Sequence, residues 1–311
     1  MAVNRFVQSL PWDIMRPIHY NKINFKYKHS NYGLAPNFRF DGGVATVSDD
    51  LPNRILYGAV NIKSNIEKFT EDGAIFDDGS VLDNIDVVVL ATGFKYSFPF
   101  LDDSIFEVDN HFPYLYELVF PVDPQQSTLA VVGLVQPFGG LPPILEIQAR
   151  WACMVFTGKC TLPNPLERRR VVEERRQFLK TKYVDSPRYS LQVYFIAYID
   201  KIASKIGCKP NLLKYFFTDP KLWYKIYFGP ATPPQWRLCG PGKWDGARNA
   251  IENVEYNTYY PMRTRKSGDG ERDGLYDGWI KLLKRVFMFV IFLLLIRFVF
   301  FNGYNIFSIK V

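Results

Sequence analysis

The chain has 311 residues, 48% hydrophobic and 22% charged, with a formal net charge of +7. That length buries a sizeable core and holds one large domain or two smaller ones. Part of the basic excess sits in two places, at Arg168, Arg169, Arg170, Arg175 and Arg176 and at Lys281, Lys284 and Arg285; without a broad basic face or a reading motif, this pattern argues against nucleic-acid binding.

Residues 1–60 read as loop-rich and aromatic, with Pro11, Pro17, Pro36 and Pro52 breaking any long helix. Met1 to Trp12 lack the apolar stretch of a cleavable signal. Residues 60–91 read as short strands and hairpins. Val60–Lys63 is one predicted strand; Lys68–Thr70, Ala74–Phe76 and Ser80–Leu82 are joined by the turns Glu71-Asp72-Gly73 and Asp77-Asp78-Gly79. Asp86–Ala91 (DVVVLA) is a continuous apolar run, the pattern of a central strand covered on both faces, and it ends in Thr92-Gly93-Phe94. Leu129–Val132 is a second such strand, ending at Gly133.

A Pro/Gly loop, Gln136 to Pro143, then leads into a helix from Ile144 to about Phe156. Helices are also predicted over 166–182 and 189–206. The glycine-dense stretch Gly240–Asn249 has no strand before it and no G-x-G-x-x-G spacing, so it reads as a structured turn. Residues 267–278 are a polar linker. From Val286 to Phe301 only Arg297 is not apolar. With Trp279 and Tyr304 at its ends, this stretch approaches the about 20 residues that cross a bilayer. A membrane anchor is therefore expected over 279–304, crossing the bilayer or lying in its interface, with the basic amino side in the cytosol.

The four cysteines, Cys153, Cys160, Cys208 and Cys239, form no C-x-x-C pair. With three histidines, His19, His29 and His111, they offer no zinc spacing. Free thiols in a reducing compartment are expected. Two features point toward a cofactor. A buried strand that opens into a glycine turn, as at Thr92-Gly93, is where open α/β sheets bind ligands, although many strands end this way without one. The loop with Gly139, Gly140 and Pro142-Pro143 ahead of a helix is expected to present free backbone N–H groups that favour negative charge; proline there is equally a plain helix start.

Taken together, Asp86–Phe94, Gly133–Gln136, Leu145–Trp151, Phe217–Leu222 and Gly240–Asn249, with Asp50–Ile55 and Lys68–Glu71, resemble the flavin-containing monooxygenases of the animal microsomal kind. The resemblance runs in order from near Trp12 to the anchor. It implies an α/β fold of two Rossmann-like domains, both incomplete here: residues 1–85 as the remainder of an NADPH-binding domain with a family insertion, and 86–266 as the remainder of an FAD-binding domain. It implies FAD and NADPH as cofactors and transfer of one oxygen atom from a flavin C4a-hydroperoxide to soft nitrogen or sulfur nucleophiles of small lipophilic molecules. Some members instead insert oxygen beside a ketone.

The resemblance also implies an endoplasmic reticulum membrane enzyme with its body in the cytosol and its tail in lipid. It assigns cofactor contacts to Thr92, Gly93, Phe94, Gly133, Gln136, Gly139, Gly140 and Gln148. Phe94 stands where the family has tyrosine, and Gly139-Gly140-Leu141-Pro142 departs slightly from the family wording. No catalytic side chain and no metal is implied. The family's two G-x-G-x-x-G loops do not occur. The chain is therefore expected to be a fragment, an incomplete gene model or a truncated product, and alone to hold neither dinucleotide tightly. The competing expectation is a membrane-tethered remnant without catalysis.

Overall fold

The computed structural model describes residues 4–39, 41–44, 46, 48–94, 96–102, 105, 108–109, 111–123, 128–184, 186–262 and 264. The chain divides into a unit of residues 1–255 and a second from 256 onward. The predicted linker and anchor, 267–304, lie outside the described residues. Among the described residues no helix is long and apolar enough to cross a membrane.

The first unit is built around two helices. α4 (Leu141–Phe156) buries Ile144, Ile147, Gln148 and Trp151, positions three and four apart that make one face of a 3.6-residue repeat. α6 (Phe195–Lys205) does the same with Phe195, Ile196, Tyr198, Ile199, Ile202 and Ala203. The two faces meet in the main core, closed by Leu118, Val119 and Phe120 and by Trp236. The Trp151 and Phe120 rings meet edge to face at 4.8 Å. α5 (Pro165–Lys182) begins as its sequence dictates: the Asn164 side chain accepts from the Glu167 N–H, Pro165 takes the first turn, and Lys180 and Lys182 face the negative end of the dipole.

The arginine run on α5 is used internally. Arg168 is buried and donates to the Pro121 carbonyl. Arg175 donates to the Ser190 carbonyl, and burial lowers its guanidinium to about 10. Arg176 pairs with Asp109, and Arg170 with Glu167 and Glu174.

Strands are short. β1 (Ile66–Phe69), β2 (Ala74–Phe76) and β3 (Val81–Leu82) form the expected antiparallel sheet, with Phe69 opposite Ala74 and Ala74 opposite Leu82. β4 (Val108–Asp109) pairs with β5 (Phe112–Pro113), and β6 (Leu115–Tyr116) with β7 (Phe120–Pro121). β8 (Gln136–Pro137) and β9 (Gln192–Val193) are a parallel pair.

Several expectations are corrected. Asp86–Ala91 is not a central strand: it has no ladder, and Val87, Val89 and Leu90 are 75%, 82% and 75% exposed. A central strand exists only when neighbours take its N–H and C=O groups on both sides, and no other described segment pairs with this one. Leu129–Val132 likewise forms no strand; its N–H at Val131 reaches the Val119 carbonyl and the pairing stops there. Val60–Lys63 is unpaired for the same reason.

The proline-rich start is more helical than expected. α1 (Arg5–Ser9), α2 (Trp12–Lys26) and α3 (Leu51–Leu56) form there, and Pro17 lies inside α2. Pro17 removes one ladder donor, and most of the described residues of α2 around it are exposed. The helix predicted from 189 starts at Phe195, because Leu191 and Val193 carbonyls are taken by Gln136 and Phe138 N–H groups. The later helices α7 (Leu212–Thr218), α8 (Pro220–Phe228), α9 (Ala247–Glu252) and α10 (Val254–Tyr259) are short.

Arg5 fastens the amino-terminal helix to this frame. It is buried, its Nη2 donates to Asp200 Oδ1 at 3.0 Å, and the same oxygen accepts from Trp236 Nε1 at 2.7 Å. Asp200→Ala leaves that guanidinium buried without its anion, so it should cost about 3 kcal/mol in urea unfolding. Arg5→Met with Asp200→Ala should recover part of the loss.

Candidate functional site

The sequence-predicted residues divide into two groups. Gly133, Gln136, Gly139, Gly140 and Gln148 gather around the amino end of α4. Thr92, Gly93 and Phe94 lie on the exposed segment after Ala91, and the Phe94 side chain is fully exposed. Gly93 has φ +91, and a Cβ built on it meets nothing within 4 Å.

In the first group, Gln148 organises the rest. It is wholly buried, and its Oε1 accepts from the Gly133 N–H at 2.9 Å. Its Nε2 donates to the Tyr198 hydroxyl at 2.7 Å, and Tyr198 in turn donates to the Glu117 carbonyl at 2.5 Å. Burial holds the Tyr198 phenol well above its ordinary value, so it stays protonated and remains a donor. Glu117 and Leu118 have φ of 50° and 58°, a left-handed conformation that such residues seldom adopt. The bond from Tyr198 and an ion pair from Lys201 to the Glu117 carboxylate at 2.8 Å hold this turn. Gly133, with φ +99, is thereby tied through Gln148 and Tyr198 to the turn at Glu117 and Leu118.

After Gly133 the chain enters β8, where Gln136 N–H donates to the Leu191 carbonyl at 2.8 Å. Gly139 then passes so close to Phe195 that a Cβ would sit 2.8 Å from the ring. Gly140 is the N-cap of α4, and no side chain caps the helix. The free N–H groups expected here are fewer than four. Positions 140 to 143 hold the unbonded donors of a helix start, but Pro142 and Pro143 have none, so Gly140 and Leu141 carry what remains.

The resemblance motifs also hold one another. Glu146 accepts from Arg237 at 2.9 Å, and Arg150 donates to the carbonyls of Trp236 and Pro241 at 3.1 and 2.6 Å. Arg237 reaches the Gly242 carbonyl at 3.0 Å. Asp219, which caps α8 through the Leu222 N–H, pairs with Arg248. Tyr198, Glu117 and Arg237 carry the site's geometry and escaped the sequence reading. The apolar period of α6 places Tyr198 on the buried face, but nothing in it marks which carbonyl the hydroxyl meets.

Among the described residues no cluster of histidine, cysteine and acidic side chains could hold a metal. Among the described residues none forms a glycine-rich strand–turn–helix of the kind that cradles a pyrophosphate.

Comparison with known proteins gives a consistent answer. The family model described as flavin-binding monooxygenase-like matches residues 2–298. Flavin-containing monooxygenase 5 of Cavia porcellus is 46% identical over 246 residues, covering 79% of this chain and 46% of that protein. Dimethylaniline monooxygenase [N-oxide-forming] 2 of Oryctolagus cuniculus is 41% identical over 256 residues, covering 82% and 48%. The chain thus spans about half the length of the curated relatives it matches. A solved S-allyl-L-cysteine S-oxygenase from Allium sativum is 24% identical over 64% of this chain and 44% of that one, with a TM-score of 0.42, too loose a likeness to bear on the site.

Gln148→Leu strands the Gly133 N–H and removes the donor to Tyr198. It should cost about 2–3 kcal/mol in denaturant unfolding. Tyr198→Phe should cost about 1–2 kcal/mol, and the double variant should cost clearly less than the sum, because both act through one chain of bonds.

Proposed function

The chain belongs to the flavin-binding monooxygenase-like family, and from that premise we propose that it forms one part of an NADPH- and FAD-dependent monooxygenase. The whole enzyme places one oxygen atom of dioxygen on soft nitrogen or sulfur nucleophiles of small lipophilic molecules. The family match over residues 2–298 carries this reading. A bound flavin, reduced by NADPH, supplies the oxygen-activating chemistry, while the polypeptide supplies position and keeps water out.

The residues of this chain contribute rigid backbone. Gly133, Gln136, Gly139 and Gly140 are the stretch proposed to lie along the cofactor. Gln148 acts on it from within the core: with the Gly133 N–H already fixed, that turn need not be ordered when a ligand arrives. The N–H groups of Gly140 and Leu141 are the donors available to an electron-rich group. Thr92, Gly93 and Phe94 are proposed as the second contact, since the open space at Gly93 admits close approach. Residues 1–85 and 86–266 are proposed as parts of the NADPH and FAD domains. Residues 279–304 are the proposed anchor to the endoplasmic reticulum membrane, with the body in the cytosol.

A second reading, a tethered chain without catalysis, is favoured by one observation: the exposed apolar run Val87–Leu90, which needs flanking strands before Thr92–Phe94 can stand at a sheet edge. The two readings separate in one experiment. The portion of the Cavia porcellus relative that this chain does not match is joined to the full chain, and the fusion is purified beside the chain alone. The chain alone should carry little flavin. The fusion should carry close to one FAD per polypeptide and form N-oxide from a tertiary amine with NADPH and dioxygen. A fusion that binds flavin yet oxygenates neither amines nor sulfides sinks the oxygenase reading.

A further inference from the structure

Cys208 and Cys239 come from separate elements and meet at one place. Cys208 follows α6 directly after Gly207, whose φ of +70 ends the helix, and its N–H donates to the Ala203 carbonyl at 2.9 Å. It is wholly buried in the main core. Cys239 follows the short 3₁₀ turn Pro233–Arg237 and is half-buried. The Cys239 thiol lies against the carbonyls on both sides of Cys208, 4.0 Å from Gly207 O and 3.5 Å from Lys209 O. The next residue confirms the closeness of the two strands of chain. A Cβ on Gly240 would sit 2.3 Å from the Gly207 carbonyl oxygen and 3.1 Å from Cys208 Cα.

Both sulfurs are free thiols, and Arg150 is the cation they share. Burial raises both thiols above their ordinary value. Arg150 opposes this at each, and Lys214 opposes it at Cys239. Arg150 is itself held in place by the Trp236 and Pro241 carbonyls, so its charge is fixed beside the pair.

We propose that Cys208 and Cys239 are an oxidation-sensitive pair that closes to a disulfide when a peroxide reaches Cys239. Exposure sets the order: Cys239 is reached from solvent, and Cys208 waits inside. In the first step the Cys239 sulfur attacks one oxygen of hydrogen peroxide. The O–O bond breaks, a sulfenic acid forms and one water leaves. In the second step the Cys208 sulfur attacks the Cys239 sulfur, the S–S bond forms, the S–O bond breaks, and hydroxide leaves as water with the Cys208 proton. Two thiols are oxidised and one peroxide is reduced to two waters. Because burial keeps the thiolate fraction small, closure is slow and belongs to peroxide stress, not to rapid redox turnover. The bond ties the end of α6 to the turn holding Pro241 and encloses α7 and α8.

The test uses the full chain in detergent. It is treated with hydrogen peroxide, its remaining thiols are alkylated, and it is digested without reductant for mass spectrometry. The expected result is a Cys208–Cys239 linked peptide pair lacking two hydrogens, a raised unfolding midpoint, and reversal of both by dithiothreitol. Cys153→Ser should leave the link intact. Cys239→Ser should abolish it and leave Cys208 open to alkylation only after unfolding. A Cys239 sulfinic acid beside a free Cys208, a link from Cys208 to Cys160 instead, or no link at all would overturn the proposal. If Cys208→Ser does not fold, the wild-type link and its loss in Cys239→Ser still decide.

Discussion

A dry core admits a polar side chain only if its hydrogen bonds are made there, and Gln148 is the residue on which this rule bears hardest. Its amide is wholly buried between α4 and α6, and both ends are used. One end holds the backbone of Gly133 and the other holds Tyr198, which holds the left-handed turn at Glu117. An apolar residue of similar size would pack in the same space, yet it would leave a backbone donor unmet. The amide therefore fixes one relation between two turns, where apolar packing alone would allow several.

The same logic recurs at the edge of the core. Glu146 and Arg150 stand four apart on α4, and both reach into the loop from Trp236 to Gly242. Asp219 reaches Arg248 in the same way, across a shorter span of sequence. Three of the segments that carry the family resemblance, Leu145–Trp151, Phe217–Leu222 and Gly240–Asn249, are thus fastened by charge-assisted bonds. Their wording encodes the packing of this unit as much as any contact with a ligand. Motifs weak one by one become specific together where, as at Gly133 and Gln148 or Asp219 and Arg248, one supplies the partner of another.

What could be read from the sequence follows from this. Helices α4 and α5 were legible because a helix satisfies its own backbone and shows its buried face as a period of 3.6 residues. The hairpin turns at Asp72-Gly73 and Asp78-Gly79 were legible because the turn chemistry is local. The late start of α6 was not, because Leu191 and Val193 are claimed by Gln136 and Phe138, far away in sequence. In the site, Gly133 and Gln148 could be picked out as residue types, but not their bond, nor its continuation to Tyr198. A hydrogen-bond partner is a property of the fold, and no window of residues contains it.

The segment Asp86–Ala91 makes the converse point. Its valines read as a core strand and are exposed. Nothing about the run itself is wrong for a strand: it is β-branched, uncharged after Asp86 and of ordinary length. A strand in a parallel sheet differs from a helix in that its backbone bonds all belong to other segments. Its burial is equally borrowed, from helices laid over both faces. The run therefore states a demand that this unit does not meet among its described residues. Gly93 and Phe94 inherit the consequence, since the position of a turn is only as definite as the strand it ends. The Gly133 turn escapes this dependence because Gln148, a residue of its own core, sets it. Of the two turns, it is the second that a buried side chain of the same core holds.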